Sequence, residues 1–240
     1  MRAMVSNGNG MQFGRLAYEA PLGSNGLRAG IGLARVNYEL GGEFEALGAQ
    51  GTADVFDVSL NYPVIRQRHQ NLYLRLSADS KQLKDEYRAV DFQARKRVTG
   101  LGLGWAWERR DDWLGGGYWA SAGTLYHGDL SLRDAELRAA DRAFGGRATD
   151  GSFSKLTFQF SRLQALMQAH SLYVSLGGQV ASKNLDSSEK LALGGARAVR
   201  AYASGEVLVD QGWISMIEWR WSATPELTPF VFYDAARAGS

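Results

Sequence analysis

The sequence predicts an all-β protein whose antiparallel strands cross a membrane as part of a β-barrel. Three observations carry this. Segment after segment alternates apolar and polar residues with period two. Connections between these segments alternate short and long. Aromatic residues gather towards the ends of the apolar rows.

The alternation places about ten strands, near Met11–Tyr18, Leu27–Tyr38, Ala53–Tyr62, Asn71–Ser80, Arg97–Glu108, Gly117–Leu130, Phe153–Arg162, Leu172–Ser182, Trp213–Trp221 and Pro229–Arg237. Leu72, Leu74, Leu76 and Ala78 oppose Tyr73, Arg75, Ser77 and Asp79, and Leu101, Leu103, Trp105 and Trp107 oppose Gly102, Gly104, Ala106 and Glu108. A helix would scatter residues two apart onto opposite sides. Several segments approach the ~9–11 residues that cross a bilayer at a tilt.

Alternation alone fits two media. A sandwich buries its apolar face against a second sheet, whereas a membrane barrel turns that face to lipid and lines a wet lumen with small and polar residues. The connections favour the barrel. Glu19–Leu27, Pro63–Asn71, Arg109–Gly116, Leu163–Ser171 and Ala223–Thr228 are short, and Glu39–Thr52, Lys81–Arg97, Arg133–Asp150 and Asn184–Gln211 are long. Outer-membrane barrels have short periplasmic turns and long extracellular loops. The placing of Tyr38, Tyr62, Trp105, Trp107, Trp213, Trp219 and Trp221 suits an interfacial girdle, and equally a core.

Composition agrees. The 240 residues are 45% hydrophobic with 29 Gly and only 4 Pro, and the net charge of +2 excludes nucleic-acid binding by charge. Cysteine is absent, which excludes disulfides and cysteinyl metal sites. His69, His127 and His170 are scattered, without the spacing of a zinc or triad site, and Gly115–Gly117 opens a strand where a nucleotide loop would open a helix. The expectation is therefore no enzyme, no cofactor, no metal and no nucleotide. Met1–Gly10 is short, polar and glycine-rich, so a secretory signal is expected outside this sequence. No run of ~18 apolar residues offers a membrane-spanning helix.

The segment from Leu191 to Trp221 is the unusual one. Its first half has no regular period yet sets Arg197, Arg200, Tyr202 and Glu206 among glycines and alanines. Small residues let backbones pack closely, and an arginine offers a fixed fork for a carboxylate. Such a loop is built to fold. On the strand Pro229–Arg237, Asp234 shares a face with Phe230 and Phe232, leaving Val231, Tyr233 and Ala235 for lipid, and Glu218 is a second inward carboxylate.

Leu193-Gly194-Gly195, Val199-Arg200-Ala201-Tyr202, Glu206, Asp210-Gln211-Gly212-Trp213 and Glu218 together resemble the signature of the two-partner secretion transporters, the haemolysin secretion/activation family ShlB/FhaC/HecB. Asn61-Tyr62-Pro63-Val64-Ile65-Arg66 and Phe232-Tyr233-Asp234-Ala235 are similar to two of its strand motifs. The resemblance implies about ten strands, roughly the fourth to the thirteenth, of a sixteen-stranded outer-membrane barrel. Residues 1–240 would be an incomplete barrel domain, with periplasmic POTRA domains, a plug helix and the terminal strands lying elsewhere. It further implies export of a large secreted partner of the TpsA type, with outer-membrane lipid as the other partner. By the same resemblance the loop folds inward, and Arg200 at its tip pairs with Asp234 on the lumen wall, as a latch or as an assembly anchor. Ala201 and Ala236 stand where the motifs have glycine. An insertase barrel of the same superfamily and a soluble all-β binding protein are the alternatives.

Overall fold

The computed structural model describes residues 2–8, 11–39, 49–87, 92–167, 169–196, 198–203 and 206–239. Eleven strands form one sheet in chain order. They are β1 (Arg2–Gly8), β2 (Met11–Pro21), β3 (Arg28–Glu39), β4 (Ala49–Arg66), β5 (Gln70–Tyr87), β6 (Phe92–Asp111), β7 (Gly117–Leu132), β8 (Gly151–Met167), β9 (His170–Ala181), β12 (Gly212–Trp221) and β13 (Phe230–Ala238). The long loop between β9 and β12 holds a two-stranded ribbon, β10 (Leu191–Ala192) with β11 (Leu208–Val209), and a helix α1 (Ala135–Arg142) follows β7. The chain divides into two compact units, Met1–Tyr62 with Arg75–Gly102 and Tyr126–Phe153, and Pro63–Leu74 with Leu103–Leu125 and Ser154–Ser240.

In the first unit the antiparallel register aligns Leu16 with Leu33 and Leu33 with Phe56, and Tyr18 with Ile31 and Ile31 with Val58. These apolar rows are open, with Leu16 46%, Leu33 54% and Phe56 43% exposed. The opposite face is polar: Arg15 Nη2 donates to Asp57 Oδ2 at 2.7 Å. A Cβ on Gly32 would lie 2.4 Å from Asp57 Oδ2, so a glycine lets that pair cross.

The second unit repeats the arrangement. Val174, Ile217 and Tyr233 stand in one row, 36%, 43% and 69% exposed. Trp105 is half-buried, its Nε1 donating to Ser121 Oγ at 3.0 Å. Trp213, Trp219 and Trp221 are exposed on the apolar face. The side chain of Tyr38 lies outside the described residues.

A sandwich would seal Leu72, Trp105 and Phe158 between two sheets. They are half-buried, in strands of one eleven-stranded sheet. Soluble proteins rarely leave apolar patches beyond a few hundred Å² open, so these rows belong against hydrocarbon and the soluble reading falls.

All ten expected strands are present, most of them longer than expected. Three readings change. Arg2–Gly8 was not expected to be a strand; it pairs with β2 along its length, drawn by the free ladder of that edge. The charged stretch Lys81–Arg97 was expected as a long loop, but β5 runs to Tyr87 and β6 starts at Phe92. Its charges pair across strands, as in Lys96–Asp85 at 3.1 Å, which supports a strand pair standing beyond the lipid. The connection Arg133–Asp150 carries α1, closed where Asp141 accepts from Thr149 N and Oγ1 at 3.0 and 2.8 Å. Within Glu39–Thr52, residues 40–48 lie outside the described residues.

The open apolar rows generate a test. Leu103→Arg, on the apolar face, should cost about 2–4 kcal/mol if the site is near mid-bilayer, and Ala106→Arg on the polar face clearly less. Denaturant titrations of protein folded into liposomes would read the difference, and equal costs would contradict the assignment of faces.

Candidate functional site: a folded loop on the polar sheet face

The loop after β9 begins with an anchored base. Lys155, on the polar face of β8, reaches Glu189 at 2.9 Å, and the two side chains are 14% and 2% exposed. Gln179 Nε2 donates to the carbonyls of Glu189 and Asp210 at 3.1 and 3.0 Å. Lys190 pairs with Asp210 at 3.0 Å, and Asp210 Oδ1 also accepts from the Leu185 amide at 2.9 Å. Both ends of the loop thus meet one buried polar cluster.

From that base the ribbon β10–β11 rises, with Leu191 opposite Val209 and Ala192 opposite Leu208. The segment then turns back on itself. Val199 N donates to Leu193 O at 3.0 Å, Ala198 N to Gly195 O at 3.0 Å, and Gly194 and Val199 form a parallel bridge. Two glycines permit this. A Cβ on Gly194 would lie 2.3 Å from Ala203 O, and Gly195 has φ +122°, which L side chains rarely adopt. Leu193, Ala198 and Val199 bury themselves on Ile214, with Leu191, Val209 and Met216 around them. Ile214 and Met216 are the apolar residues on the polar face of β12, and the loop is what covers them. Glu206 Oε2 accepts from Ala203 N at 2.9 Å and closes the tip. Arg197 lies outside the described residues.

The turn carries Arg200 to the wall. Met216 stands opposite Asp234 and Glu218 opposite Phe232 in the register of β12 with β13. Arg200 Nε and Nη2 donate to Asp234 Oδ2 and Oδ1, both at 2.8 Å, and its backbone N donates to Oδ2 at 3.2 Å. Nη1 donates to Glu218 Oε2 at 2.9 Å, and Arg220 Nε donates to Glu218 Oε1 at 2.6 Å. The guanidinium lies 3.6 Å from the ring centroid of Phe232, a cation–π contact. Asp234 is 4% exposed and Arg200 25%. The two carboxylates balance the two guanidinium groups, so the cluster is buried without excess charge.

The hydrogen bond to Asp234 first, opposed by burial and helped by Glu218, holds the Arg200 guanidinium well above its ordinary range. A raised basic group contributes its stability below its unfolded pKa and loses it only as pH rises through the folded one. Arginine stays protonated in proteins, so alkali does not open this contact.

Ala201 is exposed and, among the described residues, outside the left-handed region, so an alanine costs no backbone strain there. Ala236 stands opposite Ile214 on the exposed end of β13. Tyr202 is 53% exposed, and its amide donates to Val199 O at 3.2 Å. Sequence reasoning singled out Arg200, Glu218 and Asp234, which meet. It missed Lys155, Gln179, Glu189 and Lys190. The signal for them was faint: a lysine and a glutamine at polar positions of β8 and β9, and an acid–base pair at the foot of the loop.

Two substitutions probe this architecture. Gly194→Ala should dislodge the turn, at about 1–3 kcal/mol for enforced strain, read as faster proteolysis within residues 193–207; unchanged cleavage would contradict the close approach. Lys155→Met, which removes the ammonium 2.9 Å from the buried Glu189 carboxylate, should cost about 3–5 kcal/mol. Its readout is the denaturation midpoint, and an unmoved midpoint would show that the pair holds nothing.

Comparison with known proteins agrees with this geometry. The chain is 27% identical over 219 residues to the heme/hemopexin transporter protein HuxB of Haemophilus influenzae, a match that covers 90% of this chain and 38% of that protein. Among solved structures it is similar to CdiB from Escherichia coli, with TM-score 0.67, 17% identity and 94% of this chain against 41% of that one. BamA from Haemophilus ducreyi lacking POTRA domains 1–3 gives TM-score 0.66 at 14% identity, over 98% of this chain and 51% of that one. At such identities the structures speak for the outer-membrane barrel fold alone. The model of the family described as haemolysin secretion/activation protein ShlB/FhaC/HecB matches residues 4–240, and the chain belongs to that family.

Proposed function

We propose that this chain is the barrel portion of a longer protein that exports a large secreted partner, TpsA-like, across the outer membrane, and that the Arg200 contact is the latch of the inward loop. The match to 38% of HuxB supports the first half, since the remainder of such a protein has room for periplasmic POTRA domains. The observation that carries the second is the seat of Arg200. One side chain of an otherwise small-residue loop spends all three guanidinium nitrogens on Asp234 and Glu218.

The chemistry suits a contact that is made and broken. A bidentate arginine–carboxylate pair is about twice as strong as a neutral hydrogen bond. In a partly wet interior, its net contribution is about 1–3 kcal/mol. An incoming polypeptide that offers its own amides and charges to Glu218 and Asp234 can replace the guanidinium at similar cost. Arg220 remains on Glu218 when Arg200 leaves, so that carboxylate is never stranded. The clamp at Lys155, Gln179 and Asp210 keeps the foot of the loop in place while its tip moves. The insertase reading rests on fold likeness to BamA and has no residue-level support beside the family match. For cargo, the name of HuxB suggests a heme- or hemopexin-binding partner as the first candidate to try.

In the full-length protein, Arg200→Ala and Asp234→Ala should each reduce secretion of the cognate partner at unchanged barrel levels in the membrane, and Arg200→Lys, which keeps the charge but not the fork, should fall between. Unimpaired export by both alanine variants would remove the latch from the mechanism. Loss of assembled barrel, read by heat-modifiable migration, would instead assign Arg200 to assembly.

A further inference from the structure

The apolar face of β8 carries Leu156, Phe158 and Phe160 and then breaks its pattern with Arg162 and Gln164. Sequence reading ended the strand at Arg162, but β8 continues to Met167 and leaves the arginine on the lipid side. It is fully engaged there. Nη1 and Nη2 donate to Asp111 Oδ2 and Oδ1 at 2.7 and 3.0 Å, and Nε to Gln164 Oε1 at 2.9 Å. The guanidinium also lies 4.6 and 5.3 Å from the rings of Trp119 and Trp113. Gln164 in turn donates to the Trp113 and Gly116 carbonyls, both at 3.0 Å, which binds the turn 112–116 to β8.

Three arginines in the same unit, at the same short-turn ends of the strands, are not engaged in this way. Arg66 follows Val64 on the apolar face of β4, and Arg109 follows Leu103, Trp105 and Trp107 on that of β6. Arg68 sits in the turn 67–69, which Gln67 N closes onto Gln70 O at 2.9 Å. Arg110 N donates to His69 O at 2.8 Å, so the end of β6 lies beside that turn. Arg110 itself points to the polar face, 6.0 Å from the Tyr118 ring. Arg66, Arg68 and Arg109 are all exposed, and among the described residues none has a hydrogen-bond or ion-pair partner. The acids nearby do not bond them: Asp111 feels the charge of Arg109 but gives both oxygens to Arg162, Glu108 accepts from Tyr118 and Asn71 on the polar face, and Asp112 is exposed in its turn.

Short turns mark the periplasmic side of an outer-membrane barrel, where the leaflet is glycerophospholipid. We propose that Arg66, Arg68 and Arg109 form a binding site for the phosphate headgroup of an anionic glycerophospholipid in that leaflet. Arginine matches phosphate with two parallel N–H donors, and its stem can lie along apolar surface while the head reaches the interface. The acyl chains would run over the open apolar row of β6 at Leu103, 52% exposed. Trp113 and Leu114, 62% and 66% exposed at the tip of the next turn, set the depth of the interface. Arg162 is the internal contrast, an arginine at the same level whose charge is already cancelled.

Native mass spectrometry of the full-length protein, released from detergent with phosphatidylglycerol or phosphatidylcholine, tests this directly. The wild type should retain phosphatidylglycerol over phosphatidylcholine. Each arginine near a membrane surface is worth about a fivefold change in binding, so Arg66→Gln/Arg68→Gln/Arg109→Gln should lose retention by at least about tenfold. Arg66→Gln/Arg109→Gln, which leaves the turn intact, should lose less. A control pair in the long connection after β7, Arg133→Gln just past the strand and Arg142→Gln at the end of α1, should bind as wild type. The proposal is overturned if the triple variant retains the lipid as wild type does, if the control pair loses as much, or if the wild type shows no preference for the anionic lipid. None of these outcomes depends on Arg200 or on export.

Discussion

A sheet whose apolar rows stay open persists only where hydrocarbon covers them. That condition orders everything else in this chain. Lipid offers backbone amides no hydrogen bonds, so each strand must find its partners in its neighbours, and sequential antiparallel pairing does this from β1 through β9 and on to β12 and β13. The faces then divide the residues. Leu16, Leu33 and Phe56 keep to one side, and Arg15, Asp57 and Arg75 to the other.

Breaks in that division are where the structure carries its special features. Ile214 and Met216 interrupt the polar face and are covered by Leu193, Ala198 and Val199 of the loop. Arg162 and Gln164 interrupt the apolar face and bind the turn 112–116. In both cases residues that look misplaced in a strand hold a neighbouring connection in place. Burying the Arg200 cluster is tolerable for the same reason that burying Arg162 is: each guanidinium meets a carboxylate with matching geometry.

The loop is stable in two stages. Its base is held by Lys155, Gln179 and Lys190, largely away from solvent, and its tip by Arg200, which keeps a quarter of its side-chain surface open. A contact that is partly solvated can exchange partners; one that leaves a carboxylate such as Glu189 only 2% exposed cannot do so without a large penalty. Burial thus separates a foot shut away from solvent from a tip that solvent still reaches.

Period-two alternation determined the strands and their faces, because side chains on a pleated strand must alternate whatever surrounds them. Glycines at 194 and 195, an arginine at 200 and an inward aspartate at 234 were also legible, since each is an unusual residue for its local setting. What the sequence left open was decided by partners distant along the chain. The stretch Lys81–Arg97 read as loop because it is charged, and became strand because Lys96 finds Asp85 across the ladder. Lys155 and Glu189 each looked like ordinary surface residues until the fold brought them to 2.9 Å. Alternation reports which face a side chain takes; only tertiary structure decides what that face meets, because burial and pairing depend on segments that local spacing does not connect.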